Sequence, residues 1–315
     1  QDLASSAPFY IEDLLDYEVE NACVESECGR VLAEAHQYYN LALFYRSKRK
    51  LAQALKTLHK IGETKEWKGD EQQAVDLTIN ILSLMREQEA DLWTCSKWVL
   101  LKSPHDAMAI FTHSKRCLMD NALYLDFDRV LNYLHEDIVA DIDDYDEVQY
   151  FDYKECYLEF IVNKCQSTDA KYHDSLAYLY MAKISKLSSM HATTRASMLA
   201  NTREKLLKFL EKSQYIAPAK LLQHAKKFQL YDEIIELNKK LKNHNAVLYT
   251  LLIDKTDHQS AINYCMQTAP SSKDRSDRFL ELLRLYFTHS MEPHANDQKH
   301  VQGTDEQAQP VDEDE

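Results

Sequence analysis

The chain has 315 residues, of which 45% are hydrophobic and only four are glycine and six proline. So few turn-forming residues exclude a β-sandwich or barrel, and the hydrophobic content argues against general disorder. The net charge of -14 comes from the two ends, because residues 1–27 hold eight acidic and no basic residues, and residues 291–315 hold eight acidic residues and Lys299. The nearly neutral remainder offers no basic face for phosphate groups, so we expect no nucleic-acid binding.

The sequence predicts no membrane-spanning segment. The stretch 247–253, one of the longest apolar runs, is far shorter than the roughly 18 residues of a membrane span. The chain begins at Gln1 without a signal region, so we expect a segment of a longer protein. Seven cysteines without disulfide-framework spacing predict reduced thiols in a cytosolic compartment. Three cysteines lie in helical apolar patterns and are predicted core residues: Cys95, Cys156 and Cys265.

The first segment, residues 1–29, is acidic, and we expect it to be partly ordered at most. Cys23 and Cys28 lie close together in this segment. A structural zinc site needs a second Cys or His pair at suitable spacing, and the sequence contains none after them. We therefore predict no metal site in this segment.

The clearest repeat signal follows, at residues 38–61. Large and small apolar residues there fall at the spacings of a tetratricopeptide helix pair, in which small side chains let the helices approach. These residues are Tyr38, Leu41, Ala42, Tyr45, Ala54, Leu58 and Ile61. Glu66 replaces the usual final proline, so we predict degenerate helix-pair repeats rather than a regular array. The basic run 46–50 lies at the turn between the helices, where we favour a solvated loop and keep a partner or acidic-lipid contact open.

Helical spacing of apolar residues continues to residue 290. Examples are Val75, Ile79, Leu82 and Met85, then Leu230, Ile234, Leu237 and Leu241, and finally Phe279, Leu282, Leu283 and Tyr286. Helix breakers separate such runs at Gly62, Gly69, Ser103-Pro104, Ala217-Pro218 and Ala269-Pro270. Stacked helix pairs form a solenoid, so we predict an all-α α-solenoid over residues 30–290. Within it we interpret the acidic stretch 141–146 as a solvated helix start, with a loop between two solenoid halves as the alternative.

Residues 291–315 are polar and end in Asp-Glu-Asp-Glu. Such a segment buries too little apolar surface to offset its ordering entropy, so we expect a disordered acidic tail. A solenoid cut from a longer array also exposes apolar faces that further repeats would cover. We therefore expect concentration-dependent self-association.

The sequence predicts no catalytic, cofactor-binding or metal-binding residues. Its glycines, Gly29, Gly62, Gly69 and Gly303, form no phosphate-binding loop and no dinucleotide fingerprint. The thirteen histidines form no His-Glu-x-x-His pair, and no Gly-x-Ser-x-Gly elbow or other motif pairs a nucleophile with a base. We therefore expect a protein that is not an enzyme and that needs no cofactor.

Several short motifs resemble, in order, the vacuolar protein sorting thirty-nine and TGF-β-receptor-associated protein family. The first group lies within residues 39–58 and contains Leu43-Phe44-Tyr45-Arg46-Ser47-Lys48 and Ala54-Leu55. The second contains Trp98-Val99-Leu100, Pro104 and Ile110-Phe111-Thr112. The third contains Lys205-Leu206-Leu207, Phe209-Leu210-Glu211, Ser213 and Tyr215. The last resembles a clathrin-heavy-chain-type repeat and contains Asp257, Ala261, Tyr264 and Cys265.

This resemblance implies a scaffold subunit of the HOPS or CORVET complexes, which tether Rab-bearing endosomal, lysosomal or vacuolar membranes before fusion. The implied partners are the other class C vacuolar sorting subunits and, through the parent protein, a Rab GTPase. The implied location is the cytosolic face of the late endosome, lysosome or vacuole, with peripheral membrane association only. The family's N-terminal β-propeller and its C-terminal zinc module have no counterpart in this sequence. Residues 68–71 and 205–215 resemble the HOPS subunit slightly more. The alternative is a tetratricopeptide-like adaptor that binds peptides or receptors.

Overall fold

The computed structural model describes residues 24–63, 71–87, 89–120, 122–138, 152–189, 196–268 and 271–290. Every regular element in those ranges is helical, which confirms the predicted all-α class. The chain divides into two compact units, Gln1–Ala217 and Pro218–Glu315. The acidic stretch 141–146 and the predicted tail 291–315 lie outside the described residues.

Within the described residues of the first unit, the first five helices are ten to thirteen residues long. They are α1 (Glu25–Glu34), α2 (Tyr38–Ser47), α3 (Leu51–Glu63), α4 (Glu71–Leu82) and α5 (Ala90–Lys102). Shorter elements follow: α6 (Pro104–Ala107), α7 (Ala109–Thr112), a 3₁₀ turn (Ser114–Cys117), α8 (Phe127–Asn132) and the π-helical Tyr133–Ile138. Three longer helices complete the unit: α9 (Tyr153–Asn163), α10 (Ala170–Ser188) and α11 (Ala196–Lys212). Helix α1 crosses the predicted boundary between residues 29 and 30.

The second unit continues the same architecture. Its helices are α12 (Pro218–Lys227), α13 (Tyr231–Lys240), α14 (His244–Tyr249) with the π-helical Thr250–Asp254, α15 (His258–Thr268) and α16 (Ser272–Ser290). In each unit, consecutive helices pack against one another, for example α2 on α3 and α12 on α13. This pairwise packing of neighbours is the arrangement of an α-solenoid.

Helix ends follow the local sequence. Helix α5 ends at Lys102, and Pro104 opens α6, where the missing N–H of proline costs nothing. Pro218 likewise opens α12. Aspartate side chains accept hydrogen bonds from backbone N–H groups at four other N-termini. The pairs are Asp126 with Arg129 N (2.8 Å), Asp152 with Glu155 N (2.8 Å), Asp169 with Lys171 N (3.0 Å) and Asp257 with Ser260 N (3.0 Å).

One three-residue turn recurs between helices, after α1, α2, α12 and α13. Its middle residue adopts a left-handed conformation with φ between 54° and 57°: His36, Arg49, Gln229 and Lys242. After α2, for example, Arg49 N donates to Arg46 O and Lys50 N donates to Tyr45 O, both at 2.9 Å. These two hydrogen bonds satisfy the last carbonyls of the helix. Glycine usually occupies the left-handed position of such a turn. The repeat is therefore conserved in backbone geometry although the side chains differ.

The predicted α2–α3 pair forms as expected. Leu41, Ala42, Ala54, Leu58 and Ile61 are all buried. Gly29 of α1 faces Tyr45 of α2, and an added Cβ would sit 3.4 Å from the tyrosine hydroxyl, which is an ordinary van der Waals contact.

Two residues in the predicted apolar stripes lie on the surface instead. Leu241 is 40% exposed because α13 ends at Lys240, so Leu241 belongs to the turn. Leu283 is 52% exposed because the buried side of α16 centres on Leu282, one position earlier in the helix. Successive residues of a helix point about 100° apart, and in α16 only Leu282 of the two leucines faces the packed side, which the spacing alone did not decide.

The cysteine prediction needs two corrections. Cys95 and Cys265 are buried as predicted, whereas Cys156 is only half-buried. Cys117 and Cys165, expected to be reduced, form a disulfide that joins the 3₁₀ turn to the loop after α9. Their sequence separation of 48 hides this proximity, because only the packing of α9 beside the short helices brings them together.

Candidate interaction surfaces

The basic run 46–50 lies at the turn between α2 and α3, as predicted. Lys50 forms an ion pair with Glu25 of α1, and Lys48 Nζ lies 5.8 Å above the ring of Phe44. Arg49 occupies the left-handed position of the turn. Two of the cations thus contact the protein itself, which favours a structural turn over a dedicated partner contact.

Arg116 is a buried arginine that is fully inaccessible to solvent. Its guanidinium donates to four backbone carbonyls: Leu82 (2.9 Å), Met85 (2.6 Å), Ile110 (3.1 Å) and Leu123 (2.8 Å). Burial lowers the pKa of Arg116 to about 10, so the group stays charged at neutral pH. The side chain bonds carbonyls at and just after the end of α4, where the Leu82 carbonyl also accepts from Met85 N at 3.1 Å. No sequence motif predicts this role of Arg116.

A polar network joins α9, α10 and α11. Glu155 of α9 accepts from Lys183 of α10, and from Lys205 of α11 at 3.1 Å. Lys205 also reaches Glu159 at 2.9 Å, and Glu159 accepts from the Tyr180 hydroxyl at 2.6 Å. Burial by itself raises the pKa of Glu155, but the two lysines outweigh it and hold that pKa below its usual value. The network fixes three consecutive helices to one another.

A buried serine–histidine pair also lies in the first unit. Ser213 Oγ lies 2.8 Å from His173 Nδ1, and His173 Nε2 lies 2.7 Å from the Ser167 carbonyl. The pair resembles a nucleophile with its base, an arrangement that no motif predicted. However, Ser213 is 8% and His173 4% exposed, and the rings of Phe209 and Tyr215 pack on the imidazole. We assign it the structural role of holding the end of α11 against α10.

An acidic groove of about 770 Å³ opens between the start of α5 and α8. Four carboxylates line it: Asp126, Asp128, Glu136 and Asp137. Its one lining cation, Arg129, lies 4.6 Å above the Trp93 ring and donates to Glu87 at 3.0 Å. Glu136 and Asp137 are exposed, so the groove presents negative charge and an indole edge to solvent. These groups suit a basic side chain of a partner protein.

A second groove of about 510 Å³ lies on the other side of the N-terminus of α8. Its walls include the Cys117–Cys165 disulfide and the side chains of Met119 and Tyr172. Met119 is 74% exposed, and Leu118 beside it is 61% exposed. The groove therefore combines apolar side chains with a covalent cross-link.

In the second unit, a groove of about 630 Å³ lies between α14 and α16. His244 lines it, with Nδ1 2.6 Å from the Tyr264 hydroxyl and Nε2 3.1 Å from Arg278. Since Arg278 can only donate, His244 Nε2 accepts and the imidazole is neutral. Burial, and then the charge of Arg278, lower the pKa of His244.

Helix α16 presents an apolar stripe on the side away from its packed face. Leu280, Leu283 and Phe287 are 49%, 52% and 64% exposed. Their spacing of three and four residues is that of the seam through which two helices associate. This surface, which we call the α16 seam, is suited to bind another helix.

The remaining residues that the sequence singled out do not form a site. Cys23 lies outside the described residues, and Cys28 is half-buried in α1. Across the described ranges, no three His, Cys, Asp or Glu side chains converge as a metal ion would require. Within the same ranges, no helix is both long and apolar enough to span a bilayer.

The chain is similar to vacuolar sorting proteins. Residues 3–100 match the family model for vacuolar sorting protein 39 domain 1. Over 286 residues the chain is 28% identical to the Vam6/Vps39-like protein of Mus musculus, an alignment that covers 85% of this chain and 30% of that protein. It is 27% identical to the Homo sapiens protein with the same coverage.

A second relative is the transforming growth factor-beta receptor-associated protein 1 homolog of Danio rerio. The identity is 28% over 279 residues, covering 87% of this chain and 30% of the relative. The chain thus spans about 30% of the length of the curated relatives it matches. No solved structure matches the chain.

Proposed function

We propose that the chain is a non-enzymatic scaffold segment of a HOPS- or CORVET-type membrane-tethering complex, because it belongs to the family of vacuolar sorting protein 39 and TGF-β-receptor-associated protein 1. The observation that carries this proposal is the likeness to Vam6/Vps39-like proteins over 85% of the chain. The segment acts in endosome–lysosome or vacuole fusion and in vesicle transport. Its contribution consists of contacts with other proteins.

The proposed mechanism is positional. A tether subunit has to hold binding surfaces at fixed places, and helix pairs that pack on their neighbours supply a framework for that. The buried Arg116 and the Glu155 network fix helices within the first unit at defined positions. The exposed surfaces, including the acidic groove and the α16 seam, then serve as contact surfaces.

The proposed partners are the other class C vacuolar sorting subunits. A Rab GTPase is bound by the parent protein, and membrane association is peripheral. The protein then works on the cytosolic face of the late endosome, lysosome or vacuole. The acidic groove supports contact with a basic surface of another subunit, because its carboxylates outnumber its single cation.

A second function is favoured by one specific observation. The identity to the TGF-β receptor-associated homolog, 28%, equals that to the mouse Vam6/Vps39-like protein. The alternative is therefore a helical-repeat adaptor that binds receptors or peptides. Such an adaptor would hold a peptide in one groove, whereas a tether subunit would bind folded subunits at several surfaces.

The test is affinity purification of the parent protein from its own cells, followed by mass spectrometry. We compare the intact protein with one that lacks residues 30–290 and with the point variant Asp137→Lys in the acidic groove. The matched control is Asp254→Lys, because Asp254 is also an exposed carboxylate near the end of a π-helical segment.

We expect the intact protein to recover class C vacuolar sorting subunits and a Rab, and the deletion to lose the subunits. Asp137→Lys should reduce the recovery of at least one subunit while Asp254→Lys leaves recovery unchanged. Recovery of receptors without class C subunits would instead support the adaptor.

A further inference from the structure

We propose that Cys117 and Cys165 form a thiol–disulfide exchange site, at which a small thiol of the glutathione class opens the cross-link between the 3₁₀ turn and the α9–α10 loop. The two Cα atoms lie 4.7 Å apart, within the usual range for a bridged pair. The cross-link connects segments that are 48 residues apart in sequence. The cross-link therefore holds together two segments of the first unit that no single helix connects.

The position of the pair makes it accessible to small thiols. Both cysteines line the open groove of about 510 Å³ and both are half-buried. Cys95 and Cys265, in contrast, are buried in the core, and burial raises the pKa of both thiols, which disfavours reaction. Among the cysteines that the structure describes, Cys117 and Cys165 are thus both bonded to each other and accessible from solvent.

The groove around the pair carries charges of both signs. Asp126, Asp128 and Asp169 line it together with Lys171, which pairs with Asp128 at 2.6 Å. Lys115 of the 3₁₀ turn and Lys164 of the α9–α10 loop are exposed.

Opening the bridge affects one side of the groove more than the other. Arg116 keeps its contacts with the carbonyls of Leu82, Met85 and Ile110 whether or not Cys117 is bonded, whereas its contact with the Leu123 carbonyl belongs to the segment that opens. The following segment, with the exposed Leu118 and Met119, loses its covalent tie to the α9–α10 loop. Oxidation thus holds the groove wall in one arrangement, and reduction lets it open locally while the helices remain packed.

The chemistry balances with two equivalents of the small thiol. A first thiolate attacks one cysteine sulfur, breaks the sulfur–sulfur bond and forms a mixed disulfide, and the other cysteine leaves as a thiolate that takes up a proton. A second thiolate then attacks the mixed disulfide and releases the second cysteine. The protein disulfide is reduced to two thiols, and two small thiols are oxidised to one disulfide.

The experiment uses the 315-residue chain prepared without reductant. Free thiols are alkylated with N-ethylmaleimide, and the tryptic peptides are analysed by mass spectrometry. Hydrogen exchange is then measured with and without reduced glutathione. We expect a cross-linked peptide pair containing Cys117 and Cys165, and exchange in residues 118–126 that rises by about a hundredfold on reduction. Exchange in α11 should stay unchanged, which shows that the unit remains folded.

Cysteine variants distinguish the effect of the Cys117–Cys165 disulfide on hydrogen exchange from the general effect of replacing a cysteine. Cys117→Ser and Cys165→Ser should each show the fast exchange with or without glutathione, and Cys28→Ser, which alters another half-buried cysteine, should behave as wild type. The proposal is wrong if both cysteines are alkylated in the chain prepared without reductant. It is also wrong if glutathione leaves exchange in residues 118–126 unchanged.

Discussion

At the scale of single residues, two cations with little solvent exposure, Lys183 and Arg116, stabilise the first unit in different ways. Lys183 is paired with a carboxylate, whereas Arg116 has only carbonyl oxygens as its hydrogen-bond acceptors. A carbonyl cannot neutralise a charge, so Arg116 depends on having all of its acceptors in place. This makes the arginine a sensitive reporter of how α4, α7 and the 3₁₀ turn are held together.

We expect Arg116→Met to lower the free energy of unfolding of the first unit by about 3–5 kcal/mol, because the hydrogen bonds that Arg116 donates to carbonyls of several elements would be lost in the interior. Arg116→Lys should also be destabilising, since one ammonium cannot reach four separated oxygens. Urea denaturation followed by circular dichroism measures both. Arg129→Met is the control and should cost about 1 kcal/mol at most, because Arg129 is 53% exposed. A wild-type midpoint for Arg116→Met would contradict the assigned role.

The second unit should lose stability in mild acid because of His244. Its pKa in the folded chain lies below the value of 6.5 for a free imidazole, through burial and then through Arg278. Below about pH 6.5 the unfolded chain binds more protons than the folded one, so this contribution is complete above that pH and is lost as the pH falls. Thermal unfolding at pH 7.5 and pH 5.5 measures the difference. His244→Gln should show a smaller drop, and an equal drop would exclude His244 as its cause.

At the scale of elements, the recurring turn indicates how helix pairs are joined. Four turns share their backbone hydrogen bonds and a left-handed middle residue, yet none of these four residues is glycine. A left-handed conformation costs a residue with a Cβ roughly 1–2 kcal/mol. The turns thus carry strain that the packing of the flanking helices offsets.

Replacing a middle residue by glycine should therefore stabilise the chain. We expect Gln229→Gly to raise the free energy of unfolding by about 0.5–1 kcal/mol, because glycine adopts φ of 54° without strain. Gln223 provides a matched control, since the same substitution there lies inside α12 and should cost about 1 kcal/mol. Chemical denaturation of the two variants tests the sign. Destabilisation by Gln229→Gly would show that the turn is unstrained.

The sequence predicts elements better than it predicts contacts between distant elements. Scarce glycine and proline, together with breakers such as Ala217-Pro218, correctly indicate helices and where several of them end. The buried residues of α2 and α3 follow from local spacing. The Cys117–Cys165 bridge and the Ser213–His173 pair join residues 40 or more positions apart, and no local pattern encodes them. In the sequence, Arg116 cannot be distinguished from a surface arginine. Its burial becomes visible only in the structure, from the carbonyls that surround it.

At the scale of the whole molecule, the exposed faces matter more than the interior. The chain spans about 30% of the length of its relatives, and its proposed role requires surfaces that bind other proteins. The acidic groove and the α16 seam differ in chemistry, one charged and one apolar. Two surfaces of different chemistry allow two partners to be distinguished.

The α16 seam should also cause self-association of the isolated chain. Exposed leucines at seam spacing associate with another helix when none covers them, so we expect the sedimentation coefficient to rise with concentration. Leu280→Ser with Leu283→Ser should abolish this rise in analytical ultracentrifugation. Leu84→Ser is the control, because Leu84 is 55% exposed outside the seam. A single monomeric species at all concentrations would contradict the prediction.

The short turns between helix pairs have a consequence for how the chain folds. Connections of three residues mean that paired helices contact one another at small sequence separation, and proteins dominated by such local contacts fold within microseconds to milliseconds. A ribosome adds only about 5–20 residues per second. Each helix pair can therefore form long before the next one is synthesised. In a long tether subunit, such stepwise folding limits the time during which apolar faces are open to aggregation.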